Sequence, residues 1–267
     1  MKKTIISSLG IAMVGILLLN SCKKNEFHLK DNVFINGKAL LKVNFVSSYR
    51  TNPVFQIKVD GVRVSSNLTF FTPFPGGGLN TGGGNYADYL GVEPGSHKIS
   101  ISLPNVGTQT DSIELASATV TLAADKYQSL YFADTAANTA NFLVEDNPAL
   151  PDSGFVKYRI VNLIPDLPAG VDLYLGTGYT STTSTKIAGP ILYKQVSDYL
   201  VLPNTAGVQF WSFRPAGAAA TTAAIASYTS ASTIVNQRIF TIAARGYNGV
   251  STTGDPRIKN ISFIYNR

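Results

Sequence analysis

Apolar and polar residues alternate with a period of two along several short stretches of this chain. The alternation runs through residues 55–59, 98–103 and 156–160, and glycine, proline or asparagine bounds these stretches. Successive side chains of a strand point to opposite faces of a sheet, so the pattern predicts half-buried β-strands. Asp60-Gly61, between two apolar runs, predicts a tight hairpin turn because glycine tolerates a positive φ. No stretch beyond the N-terminal region keeps a helical period, and we predict an all-β protein.

The strand pattern occurs twice, with blocks of similar sequence in the same order. Val43-Asn44 and Val161-Asn162 each precede a proline-bearing loop and an alternating strand that stops at glycine. The other matching blocks are 87–95 with 197–205, 126–134 with 237–245, and 140–147 with 260–267. Because the blocks follow one another in the same order in both halves of the chain, we predict two copies of one domain. They cover residues 39–147 and 153–267 and are joined by "DNPALPDS". Several short strands in about 110 residues are typical of an immunoglobulin-like β-sandwich, and we expect two in tandem, each folding on its own.

The N-terminal region has a different pattern. Lys2 and Lys3 precede the apolar run Leu9–Leu19, which is shorter than the ~20 residues that a membrane-spanning helix needs. A charged start and a short apolar core are typical of a secretory signal. Leu19-Asn20-Ser21-Cys22 resembles the lipobox of bacterial lipoproteins. That resemblance implies cleavage before the cysteine, a diacylglyceryl group on its thiol and an acyl group on the new amine.

We therefore predict a signal peptide at 1–21, a lipidated tether at 22–38 and lipid attachment at Cys22. Stable anchoring by lipid needs more than one acyl chain, and three chains on one cysteine satisfy this. We expect the protein to lie in the cell envelope, anchored by lipid to the outer membrane. The sequence does not distinguish the periplasmic from the surface side of that membrane. An ordinary secreted protein with a chance cysteine is the weaker alternative.

Net charge and composition limit the classes of binding partner that we expect. Lysine and arginine number 22 against 16 acidic residues, a net charge of +6, without a clustered basic stripe. The sequence therefore predicts no nucleic-acid binding. Charged residues make up only 14% of the chain, below the ~25% of ordinary soluble domains. We expect membrane association through the N-terminal lipid, and a glycan or another envelope protein as the candidate partner.

The segment "YRIVNLIPDLPAGVDLYLG" resembles the opening of the DUF4397 family, a domain of unknown function. Its repeats begin with an apolar-Asn strand, continue through a Pro-Asp-x-Pro loop and end in a Val-Asp-apolar strand with a final glycine. The matching positions are Asn162, Pro165, Asp166, Pro168, Asp172 and Gly176. The first copy keeps Asn44, Pro53 and Gly61 but has Gln56 where the family favours Asp. The resemblance implies an exported sandwich domain, often duplicated and often on lipoproteins, without established activity or catalytic residues.

Residues for catalysis or metal binding are sparse. The chain has two histidines, His28 and His97, and one cysteine, too few for a histidine- or cysteine-based metal cluster. Asp88 and Asp198 could act as a carboxylate pair in glycoside hydrolysis. They occupy equivalent positions in the two copies, however, which favours structural roles in turns. We predict no catalytic residue, no metal and no cofactor, and keep a hydrolase as a distant alternative.

One loop stands out as a candidate binding site. Glycines fill its centre, and Phe70, Phe71, Phe74 and Tyr86 lie around them. These aromatic side chains could stack on a sugar ring. The competing interpretation, a mobile hairpin loop whose aromatic residues belong to the core, is favoured because aromatic residues are normally buried. We expect a non-catalytic binding or structural module; the rival is a glycan-binding accessory lipoprotein of a polysaccharide uptake system.

Two short signals point to modification. Asp-Ser-Ile and Asp-Thr-Ala resemble the Asp-Ser/Thr-apolar signal for O-glycosylation of bacterial envelope proteins. They make Ser112 and Thr135 candidate acceptors. Three-residue signals also occur by chance, so the position of each hydroxyl in the fold matters.

Overall fold

The computed structural model describes most of the chain after the predicted signal and tether. The described residues are 36–105, 111–180, 182–205, 207–219 and 221–267. The signal peptide, Cys22 and nearly all of the tether lie outside them. Residues Gly37–Arg267 form one compact unit. Within the described part, no helix has both the length and the apolar character to cross a bilayer.

The first repeat is a sandwich of two four-stranded sheets. One sheet has the order β5-β1-β8-β9 and the other β3-β2-β6-β7. The described strands are β1 (Ala39–Phe45), β2 (Gln56–Val59), β3 (Val62–Arg63), β4 (Gly78–Leu79), β5 (Leu90–Val92), β6 (Gly95–Pro104), β7 (Asp111–Leu122), β8 (Tyr127–Ala133) and β9 (Ala140–Asp146).

The second repeat has the same arrangement. Its sheets have the orders β13-β10-β16-β17, extended by β4 of the first repeat, and β12-β11-β14-β15. The strands are β10 (Phe155–Leu163), β11 (Val171–Gly176), β12 (Ser184–Ile191), β13 (Leu200–Pro203), β14 (Gln209–Pro215), β15 (Ala226–Ser230), β16 (Ile239–Arg245) and β17 (Asn260–Tyr265). Single 3₁₀ turns occur at Ala136–Asn138 and Ala231–Thr233.

The predicted all-β fold and the two tandem sandwiches are confirmed. The predicted alternation of buried and exposed side chains is also present. Ile57 and Ile101 lie opposite each other on β2 and β6 and are fully buried in the first core. Tyr158 of β10 is fully buried in the second. The hairpin turn is present at Asp60 and Gly61, whose φ angles are +50° and +82°. In each repeat the first strand pairs in parallel with the penultimate strand, β1 with β8 and β10 with β16.

The two sandwiches pack against each other through one sheet of each. Val46 and Tyr131 from the β1–β8 sheet lie in one buried cluster with Val161 and Ile264 from the β10–β17 sheet. This arrangement corrects the alignment of the two Val-Asn pairs. Val43 points into its own sandwich core, whereas Val161 points into the interface, because a shift of one residue exchanges the faces of a strand.

The glycine-rich loop is also part of this packing. Gly78 and Leu79 form β4, which pairs with β17 of the second repeat, and Tyr265 N donates a hydrogen bond of 3.0 Å to Gly77 O. A Cβ added to Gly78 would overlap the carbonyl oxygen of Phe263. This part of the loop therefore pairs with a strand of the second repeat, and its glycines allow the two backbones to approach closely.

Candidate functional site

The four candidate aromatic residues separate into two pairs. Phe71, with a φ of +48° and 1% exposure, lies in the cluster between the sandwiches. Phe70 packs on the same cluster, and the Arg245 guanidinium lies 5.6 Å from its ring centre and 4.8 Å from that of Phe71. Phe70 and Phe71 thus pack between the sandwiches. Phe74 packs partly against the core of the first repeat, and together with Tyr86 it lines a surface depression.

Backbone contacts hold Phe74 and Tyr86 in place. Phe74 and Val43 of β1 exchange two hydrogen bonds, of 2.7 and 2.9 Å. Gly77 N donates to Tyr86 O at 3.2 Å. Gly76 has a φ of +108°, and an added Cβ would lie 2.9 Å from Tyr86 O. The Tyr86 ring covers Gly84, where any side chain would overlap it. The glycines therefore determine where the tyrosine lies.

The depression combines an aromatic surface with polar groups. Its volume is about 310 Å³. Tyr86 is 53% exposed, and the exposed residue Asp88 lines the same depression. An aromatic face beside a hydrogen-bond acceptor suits the apolar face and the hydroxyl groups of a sugar. The lining residues are Ser66, Leu68, Thr72, Pro73, Phe74, Pro75, Gly76, Gly83, Tyr86 and Asp88.

The remaining candidates have local contacts. Asp198 is exposed in the second repeat, and its carbonyl oxygen accepts a hydrogen bond from Ser197. His97 Nδ1 lies 2.6 Å from the Asp60 carboxylate and Nε2 lies 2.8 Å from Glu93 O, so its ring joins two turns. Among the described residues, no group of three or more His, Cys, Asp or Glu could hold a metal ion.

The structure describes the side chain of only one of the two glycosylation candidates. Thr135 is half-buried, and its backbone N–H donates to the Asp134 carboxylate at 2.6 Å. Its carbonyl oxygen accepts from Asn138 N at the start of a 3₁₀ turn. Thr135 therefore has a structural role in this turn. The side chain of Ser112 lies outside the described part of the chain.

A buried polar cluster between the sandwiches was not predicted from the sequence. Asp146, at the end of β9, accepts hydrogen bonds from the hydroxyls of Tyr89 at 2.8 Å and Ser129 at 2.6 Å. Its other oxygen pairs with the Arg159 guanidinium of β10, and both side chains are at most 3% exposed. Burial alone would lower the pKa of Arg159, but the Asp146 carboxylate reverses this effect and raises it.

Lys42 lies on the other side of this cluster and is fully buried. Its Nζ donates to Tyr265 O and lies 4.4 Å from the centre of the Tyr89 ring. Burial lowers the pKa of Lys42 to about 8, although Asp146 and Asp88 attract its positive charge. Two cations, one carboxylate and a tyrosine thus share the interface.

The cluster repeats the internal symmetry of the chain. Arg159 of the second repeat donates to Glu145 O, at the end of the last strand of the first. Lys42 of the first repeat donates to Tyr265 O, at the end of the last strand of the second. Asn266 takes the place equivalent to Asp146 and donates to the Tyr89 hydroxyl at 2.8 Å. Equivalent strands therefore exchange equivalent contacts across the interface.

The fold and the site describe a duplicated β-sandwich protein with a surface depression. The family model for the Domain of unknown function (DUF4397) matches residues 41–174, half of the chain. The chain belongs to this family, as the resemblance predicted. The match covers the first repeat from Leu41 onward and ends in β11 of the second, although the motif that suggested the family lies in the second repeat.

Comparisons beyond the family are distant. No curated protein matches the chain. A crystal structure provisionally described as a cell adhesion protein from Bacteroides uniformis is 10% identical, with 86% of this chain and 97% of that chain covered and a TM-score of 0.22. A leucine-rich repeat protein from Bacteroides thetaiotaomicron is 15% identical, with 77% of this chain and 26% of that chain covered and a TM-score of 0.17.

Proposed function

We propose that this protein is a non-catalytic lipoprotein of the cell envelope that binds a ligand at the Phe74–Tyr86 depression. The observation that carries this proposal is the 53% exposed Tyr86 side chain in a depression that Phe74 and Asp88 also line. Two rigid sandwiches present this depression on a loop that backbone pairing holds in place, a common arrangement for binding sites. The lipobox-like segment ending at Cys22 supports attachment to the membrane.

The ligand class that fits best is a glycan. A sugar ring offers C–H groups to an aromatic face and hydroxyl donors to a carboxylate. Neither interaction requires catalytic groups, and the resemblance to the DUF4397 family implies no catalytic residues. A purely structural module, or one that binds another envelope protein, is the competing function.

The membrane part is tested by replacing Cys22 with Ala and fractionating cells. We expect the variant to remain unprocessed or to leave the membrane fraction, because no acyl chain can be attached. A variant that is processed at the same site and stays membrane-bound would contradict the anchor.

The binding part is tested with a glycan array and the Tyr86→Ala variant. We expect binding to fall roughly tenfold or more, since the stacking surface is lost, with an unchanged melting temperature because Tyr86 is exposed. Tyr179→Ala, in the β11–β12 hairpin of the second repeat, is the control because it removes a tyrosine that does not line the depression. Equal binding by wild type and Tyr86→Ala would place the site elsewhere, and no glycan binding at all would favour the structural module.

A further inference from the structure

Gly37, near the start of the described chain, lies beside the linker between the repeats. Gly37 N donates to the Asp125 carboxylate at 2.8 Å. Asp125 and Pro148 line the same depression, of about 400 Å³. Because Pro148 belongs to the linker, any chain that precedes Gly37 enters the fold at this end of the molecule.

An apolar surface begins two residues further along the linker. Leu150, Phe155 and Val201 are 47%, 38% and 52% exposed and share one depression of about 270 Å³ with Pro151 and Asp152. In the pairing of β10 with β13, Phe155 lies opposite Pro203 and Val201 opposite Lys157. The period of two places Phe155 and Val201 on the same sheet face. These three side chains are called the linker patch below.

The length of the preceding chain limits how far this end can be from the anchor. Only 14 residues lie between Cys22 and Gly37. In any conformation they span at most roughly 50 Å. A lipid on Cys22 therefore keeps Gly37, at the end of the fold that carries the linker patch, within roughly 50 Å of the bilayer, and this tethering raises the effective concentration of the patch at the membrane surface.

We propose that the linker patch is a membrane-contact surface that inserts shallowly between lipid headgroups. This inference rests on the lipid anchor of the proposed function. Three side chains are too few for a stable protein interface, which buries about 800 Å² per partner, but apolar side chains of this kind suit the boundary between headgroups and acyl chains. Asp152 at the depression limits the depth of insertion. Exposed Arg267, whose guanidinium lies 3.4 Å from Pro148 O, offers a cation to lipid phosphates.

The single cysteine makes a direct test possible. In the lipidated full chain the Cys22 thiol is blocked, so Val201→Cys supplies the only free thiol for a nitroxide label. The protein is reconstituted in vesicles of phosphatidylethanolamine and phosphatidylglycerol. Collisions of the label with oxygen, which enters lipid, and with a water-soluble nickel chelate are then measured. Ile113→Cys is the matched control: Ile113 is 58% exposed and pairs with Leu103, at the end of β6 away from Gly95.

We expect the label at position 201 to become more accessible to oxygen and less accessible to the chelate when vesicles are present, while the label at 113 stays in water. Water-like accessibility at both positions on vesicle-bound protein would overturn the membrane-contact surface but leave the anchor intact. Low accessibility to both reagents at position 201 would mean that protein covers the patch and would also overturn the inference. Failure of the wild-type chain to bind vesicles would overturn the anchor and this inference together.

Discussion

Replacing Asp146 with Asn removes the one carboxylate of the buried cluster but keeps the shape of the side chain. The amide still accepts hydrogen bonds from Tyr89 and Ser129. It leaves the Arg159 guanidinium, which is 3% exposed, without its counter-charge. The second repeat has Asn at the equivalent position, Asn266, so the side chain itself fits this environment.

The expected cost is large because the pair is buried. Removing one partner of a buried ion pair costs about 3–5 kcal/mol, since the remaining charge stays in a poorly solvated site. Glu145→Gln, one residue earlier in β9, is the matched control. Glu145 pairs with Lys126 at 2.6 Å, but the two side chains are 57% and 50% exposed. Such exposed pairs contribute about 0–1 kcal/mol.

Urea denaturation followed by tryptophan fluorescence measures this cost and also tests whether the repeats unfold together. The chain has one tryptophan, Trp211, fully buried in the second repeat, whereas Asp146 belongs to the first. Circular dichroism reports the strands of both repeats. We expect Asp146→Asn to lower the midpoint of both signals together.

Two results would refute this reasoning. A loss of less than about 1 kcal/mol, no greater than that of Glu145→Gln, would mean that the pair is not desolvated as the structure indicates. A wild-type tryptophan transition separated from the dichroism transition would mean that each repeat folds on its own. The sequence led us to expect independent folding, which stays a prediction, whereas the shared buried cluster argues for one cooperative unit.

Two further predictions concern the same interface. The folded-state pKa of Lys42, about 8, lies below its ordinary value of 10.5. Between these two values the unfolded chain binds more protons than the folded chain. The free energy of unfolding should therefore rise with pH across this window, by at most about 3 kcal/mol. Lys42→Met should remove this rise in urea titrations at several pH values, and an unchanged pH profile would contradict the assignment. Gly78→Ala should cost about 1–3 kcal/mol by thermal melting, because its Cβ would overlap the Phe263 carbonyl. Gly249→Ala, where an added Cβ meets only Asp166 at 3.8 Å, should stay within about 0.5 kcal/mol, and equal effects of the two would contradict the β4 pairing.

The sequence by itself determined the strands, the duplication and the family. These features depend on local patterns, such as the alternation through Phe55 and Ile57 and the turn at Asp60-Gly61. Side chains two residues apart share a face whatever packs on it, so such patterns can be recognised without tertiary contacts. The matching blocks predicted two repeats, and the several short strands in each repeat predicted the sandwich architecture.

Only the tertiary structure decided what covers each face. Lys42 and Arg159 occupy polar positions of alternating strands, a pattern that equally fits a face in water. Their burial follows from the packing of one sandwich on the other. Likewise, Phe71 lies in the core and Tyr86 on the surface because β4 pairs with a strand far along the chain, and no local pattern in the glycine-rich loop records that pairing. Polar residues that face solvent and polar residues that face a second sandwich give the same sequence pattern. The alternation along a strand shows which side chains share a face, but it does not show what packs against that face.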